Sequence, residues 1–154
     1  MKISIFAFMT LAGVTTVLHH ANAELPRPDE LKTRIVNDYV KIQESLINDA
    51  LPKLRIPAQD IEKLSTLMRM SDQNDSIALR KSARAIDRSS KLEDARNAFK
   101  DLSKPVISWV RKFDFADLEI GECPMARAQW VQMKGEIRNP YLGKDMISCG
   151  AKPS

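Results

Sequence analysis

Between Glu24 and Ile120 the chain contains no glycine, and its apolar residues recur every three or four positions. Together these features confine that stretch to helices packed along one apolar stripe, because strands alternate with a period of two. Leu31, Ile35, Tyr39, Ile42, Leu46 and Ala50 form the first stripe, with Asp29 as N-cap and Pro52 as the stop. Pro57 suits a first helical position, and Ile61, Leu64 and Met68 continue the period. Ser71 to Ser76 reads as a polar loop. Ile77, Ala83 and Ile86 mark a third helix that breaks at Ser89-Ser90. The fourth stripe is the clearest: Leu92, Ala95, Phe99, Leu102, Val106, Trp109 and Val110, with a kink expected where Pro105 removes a backbone donor. The spacing predicts an all-α fold, an antiparallel bundle of four helices, or of three if the breaks at Pro52 and Ser89 are only kinks. The bundle should span residues 29–113.

The ends of the chain differ from this frame. Lys2, the apolar run Ile3 to Leu18 and Ala21-Asn22-Ala23 have the layout of a secretory signal peptide over residues 1–23, cut before Glu24. The run is short for a membrane span, which needs roughly 20 apolar residues. No stable span is expected once it is removed. The remaining residues, 24–150, are expected to form a single helical domain in the periplasm.

Cleavage would remove His19 and His20, the only histidines, and shift the formal charge from +4 to +3. Histidine-based acid–base and nucleophilic chemistry is then excluded, and no enzyme is expected. The charges are interspersed, with no dense basic stripe, so nucleic acid is not an expected partner.

After Phe113 the chain is punctuated by Gly121, Pro124, Gly135, Pro140, Gly143 and Gly150. Such punctuation predicts an irregular tail over residues 120–150, with one helical turn near Met125 to Met133 and a tight turn at Asn139-Pro140. Trp130, Ile137, Tyr141 and Leu142 should anchor it to the bundle, since aromatic side chains bury about 150–250 Å² each. Both cysteines lie in this tail, each beside a methionine: Cys123-x-Met125 and Met146-x-x-Cys149.

Two readings of these sulfurs remain open. Two cysteines in an exported chain favour a structural disulfide between Cys123 and Cys149. Two thiolates and two thioethers, from Cys123, Met125, Met146 and Cys149, instead suit a soft cation such as Cu(I), with Met133 as a further candidate ligand. The two can be redox states of one site. A pure disulfide would leave a helical protein-interaction module that needs no metal.

Cys123-Pro-Met-Ala126, Trp130-Val-Gln132, Ile137-x-Asn-Pro-Tyr-x-Gly143 and Met146-x-x-Cys-Gly150 resemble the C-terminal signature of a bacterial periplasmic domain family of unknown function. Arg96-x-x-Phe99-x-x-Leu102-Ser103 resembles its other recurring motif. The family also occurs as the C-terminal extension of CusB-like heavy-metal efflux adaptor proteins. The resemblance implies a helical periplasmic domain linked to copper or related soft metals. A heavy-metal efflux adaptor or another periplasmic protein is then the expected partner.

Overall fold

A computed structural model describes residues 26–153. The signal peptide expected at 1–23 lies outside the described residues. Four helices lead the fold: α1 Pro28–Ile47, α2 Arg55–Ser65, α3 Gln73–Arg88 and α4 Leu92–Lys112. Short 3-10 turns, Leu51–Leu54 and Met70–Asp72, join α1 to α2 and α2 to α3. None of these helices is long and apolar enough to cross a membrane.

The helix boundaries follow local chemistry. Pro28 opens α1, where a missing N–H costs nothing, and Asp29 and Glu30 occupy the positive end of the helix dipole. Asp29 is therefore inside the first turn, with Arg27 at the N-cap position. Helix α3 begins at Gln73, within the stretch whose polarity suggested a loop. Helix α4 runs unbroken through Pro105 and carries Arg111 and Lys112 in its last turn, where cations are favoured.

Each helix packs on the next, while α1 and α4 meet directly over only a short stretch. Against both of them lies the element that the periodicity did not reveal. It is an antiparallel hairpin of β1 Leu118–Cys123 and β2 Ala128–Met133. The expected all-α class is thus corrected to a mainly helical bundle with a two-stranded sheet, and in place of the helical turn expected near Met125 to Met133 there is a β-turn followed by strand β2. The reason is burial on both faces. Trp130, Val131 and Gln132 are consecutive and all buried, so β2 lacks the apolar–polar alternation of a half-exposed strand.

An aromatic ladder ties the hairpin to the bundle. Tyr39 of α1 stacks on Phe99 of α4 at 4.7 Å between centroids. Phe99 meets Tyr141 at 5.8 Å, and Tyr141 meets the edge of Trp130 at 5.9 Å. Trp130 is wholly buried because Gly121, its cross-strand partner, leaves it room. A Cβ at Gly121 would stand 2.6 Å from the indole ring.

The remaining tail, residues 134–153, folds back over this face. Gln43 of α1 donates to the Arg138 carbonyl at 3.1 Å. Arg96 of α4 donates to the Pro140 carbonyl at 3.0 Å and the Leu46 carbonyl at 3.1 Å, and pairs with Asp49. Buried Gln132 uses both ends: its oxygen accepts from Trp130 Nε1 and the Arg138 amide, and its nitrogen donates to Glu119 and the Glu136 carbonyl.

Phe99→Ala and Trp130→Ala should each destabilise the fold by about 3–5 kcal/mol, the range for truncating a buried aromatic residue. Denaturant melts measure this directly. A loss below about 1 kcal/mol, as for a surface residue, would show that the ladder does not hold the hairpin.

Candidate functional site

The hairpin loop is a β-turn over Pro124–Arg127, closed by the Arg127 amide donating to the Pro124 carbonyl at 3.1 Å. Arg127 takes a left-handed φ of 48°, the bend that returns the chain into β2. Cys123 is the last residue of β1, paired with Ala128, so its sulfur sits at the base of this loop. At the other end of the tail, the Glu122 amide donates to the Ala151 carbonyl at 2.8 Å, and the Ala151 amide returns the bond at 2.9 Å. This bridge draws Cys149 and Gly150 alongside β1. Gly150 is required at the crossing, since a Cβ there would lie 2.8 Å from the Glu122 carbonyl oxygen.

The result is a close pair of thiols. Cys123 Sγ and Cys149 Sγ lie 3.1 Å apart and are not bonded to each other. Cys123 is buried, at 1% exposure, while Cys149 is half-buried. Met125 stands on the loop at 67% exposure, and its Sδ lies 3.8 Å from Cys149 Sγ. Three of the candidate donors therefore converge.

The other two do not join them. Met146 ends a 3-10 turn, Lys144–Met146, and its link to the site is through backbone: its carbonyl accepts from the Cys149 amide at 3.1 Å. Met133 pairs with Leu118 at the far end of the hairpin from Cys123. Five residues of strand at about 3.4 Å each separate them.

The two thiols share their protons unequally. Burial raises the Cys123 pKa. This is outweighed by hydrogen bonds from the Ala126 amide, the Cys149 thiol, the Met125 amide and the Asn139 side chain, so Cys123 lies below the ordinary thiol value. Cys149 lies above its ordinary value, because it donates to Cys123 and would share the space with a second negative sulfur. Cys123 therefore gives up its proton more readily than Cys149. Among the described residues no three of His, Cys, Asp and Glu gather as a metal site.

Asn139 organises the pair, although its sequence context suggested only a turn. It is wholly buried. Its Nδ2 donates to the Cys149 carbonyl at 2.6 Å, and its Oδ1 accepts from the Tyr141 amide at 2.7 Å. Its own amide donates to the Ile147 carbonyl at 2.6 Å. The side chain thus fixes both the turn before Tyr141 and the approach of Cys149. The available signal was the Asn-Pro pair, which marks the turn but not its partner ten residues later.

Two outcomes follow for the reduced protein. Asn139→Ala should cost about 1–3 kcal/mol, since the Tyr141 amide and Cys149 carbonyl would be left without partners. The pH dependence has a definite sign. The lowered Cys123 pKa adds stability as pH rises from its folded value toward the unfolded thiol value near 8.5. The raised Cys149 pKa removes stability above that value. The stability difference between wild type and Cys123→Ser/Cys149→Ser should therefore peak near pH 8.5, as read from denaturant midpoints across pH. A flat difference would show that the thiols do not interact.

A family model described as "Protein of unknown function (DUF3347)" matches residues 35–117, which is the bundle from α1 to the residue before β1. No curated protein and no solved structure matches the chain. The match covers more than half of the sequence and leaves the sulfur site beyond its C-terminal boundary, so the chain belongs to the DUF3347 family through its helical frame.

Proposed function

We propose that this protein is an exported, periplasmic carrier of a soft metal, with Cu(I) as its cargo, held by Cys123, Cys149 and Met125. It would serve metal tolerance or delivery to an efflux system, and its role would be binding rather than catalysis. One observation carries the reading: Cys149 Sγ lies 3.1 Å from Cys123 Sγ and 3.8 Å from Met125 Sδ. Two thiolates and a thioether are a soft donor set, which suits Cu(I) better than Mg or Ca. The donor chemistry fits further because the Cys123 thiol is held below its ordinary value, which eases formation of the thiolate that binds metal. Met146 and Met133 are not part of this set.

A second reading rests on the same sulfur pair. The thiols are close enough for a disulfide after a small adjustment, and an exported chain would meet oxidising conditions. That bond would staple the tail and stabilise by roughly 3–4 kcal/mol in the chain-entropy model. The oxidised form has no thiolate to offer, so metal carriage requires the reduced one.

The test is a competition titration of reduced protein with Cu(I). The expected result is one equivalent bound. Met125→Leu should weaken binding about ten-fold, or 1.4 kcal/mol, by deleting sulfur while keeping volume. Met146→Leu should match wild type. No binding by the wild type would leave the disulfide-stapled module as the better account.

A further inference from the structure

The two sulfurs of the pair stand differently toward solvent. Cys123 closes β1 at the base of the hairpin loop and is 1% exposed. The Ala126 amide donates to its Sγ at 3.5 Å, and Cys149 Sγ covers it at 3.1 Å. A cleft of about 390 Å³ between α4 and the hairpin borders Cys123, but with so little of the residue exposed it gives a second molecule no way to the sulfur.

Cys149 lies on the tail and is half-buried. Its backbone is pinned. Asn139 donates to its carbonyl at 2.6 Å, and its own amide donates to the Met146 carbonyl at 3.1 Å. Its sulfur is less enclosed, since the contact between Cys149 Sγ and Met125 Sδ, 3.8 Å, lies at the surface. Met125 is 67% exposed, and an unbranched thioether with three rotatable bonds can swing aside.

The rate of thiol–disulfide exchange depends on which sulfur an outer thiolate can reach and on how well the other sulfur leaves. Both conditions select the same assignment. Attack at Cys149 Sγ expels the Cys123 sulfur into a site where the Ala126 amide already donates to it, and such a bond strengthens when its acceptor is ionised. Attack at Cys123 would put the outer molecule where the hairpin and the bundle already pack. We propose that the Cys123–Cys149 disulfide is opened by an outer thiol reductant that bonds to Cys149, with Cys123 as the leaving sulfur. This rests on the disulfide reading above, and it makes that bond a reversible block on the metal site.

The exchange balances in two steps. The bond between the two protein sulfurs breaks as Cys149 bonds to the outer sulfur. A second outer thiol then attacks the outer sulfur of this mixed disulfide and leaves with it as the outer disulfide. The protein disulfide gains two electrons, two outer thiols lose one each, and their two protons end on Cys123 and Cys149. Run backwards, an outer disulfide closes the pair through the same intermediate on Cys149.

The experiment oxidises the full chain with glutathione disulfide and opens it with excess reduced glutathione. Samples are blocked with N-ethylmaleimide at intervals and mapped by peptide mass. Glutathione on Cys149 with maleimide on Cys123 should exceed the reverse by about ten-fold, and the preference should fall away in denaturant, where both sulfurs are reachable. A second arm treats reduced Cys123→Ser and Cys149→Ser with glutathione disulfide. The first keeps Cys149 and should take up glutathione about ten-fold faster than the second. Glutathione on Cys123, equal labelling of both cysteines, a preference unchanged in denaturant, equal uptake by the two variants, or a disulfide that glutathione does not open overturns the proposal and leaves the disulfide reading standing. Thiols that stay free after treatment with glutathione disulfide overturn both.

Discussion

The free edge of β2 is the constraint on which the fold turns. A two-stranded hairpin is marginal in water, and each strand has one edge whose N–H and C=O groups face away from its partner. Here that edge is pressed against the bundle, where an unmet backbone group costs about 1–3 kcal/mol. Two tyrosine hydroxyls close it. The Val131 amide donates to Tyr39 Oη at 3.1 Å, and Tyr141 Oη donates to the Gln129 carbonyl at 3.0 Å. Ser103 of α4 lies between them, 2.8 Å from Tyr39 Oη and 3.2 Å from Tyr141 Oη, while donating to the Phe99 carbonyl. Burial, partly offset by these hydrogen bonds, holds both phenols in their neutral form. The same rings form the aromatic ladder, so one set of residues provides both apolar contact and polar closure.

The sulfur site inherits its geometry from that closure. β2 fixes β1, and β1 fixes Cys123 at its end. The outer edge of β1 is met in turn by Ala151, which brings Cys149 across. Asn139 and Gly150 refine the approach, one by hydrogen bonds and the other by the absence of a side chain. Nothing in the loop itself would hold two thiols 3.1 Å apart. The helical frame shared with the DUF3347 family is therefore the platform, and the site is built on the segment beyond it.

The three sulfurs differ in access. Cys123 is enclosed, with its thiol held below the ordinary value; Cys149 and Met125 meet solvent. Such an arrangement gives any bound soft cation one anchored ligand and two that a donor or acceptor can approach. The half-buried Lys100 supports the loop by donating to the Ala126 carbonyl at 2.8 Å.

Much of the frame was legible in the sequence. The stripes Leu31 to Ala50 and Leu92 to Val110 mark α1 and α4, because a helix buried on one face leaves a 3.6-residue signature. The aromatic anchors Trp130 and Tyr141, and the pairing of each cysteine with a methionine, could also be read directly. The hairpin could not, since β2 is covered on both faces and its pattern of burial no longer alternates. Nor could the choice among methionines. Met125 is two residues from Cys123 and Met146 three from Cys149, but the β-turn turns the first toward the thiols, while the hydrogen bond of Met146 to Cys149 is through its backbone. Sequence spacing determined which soft donors were available. Only the tertiary structure decided which of them meet, because the separations that matter are set by the Glu122–Ala151 bridge, Asn139 and the tyrosine-sealed edge, all contacts between residues distant in sequence.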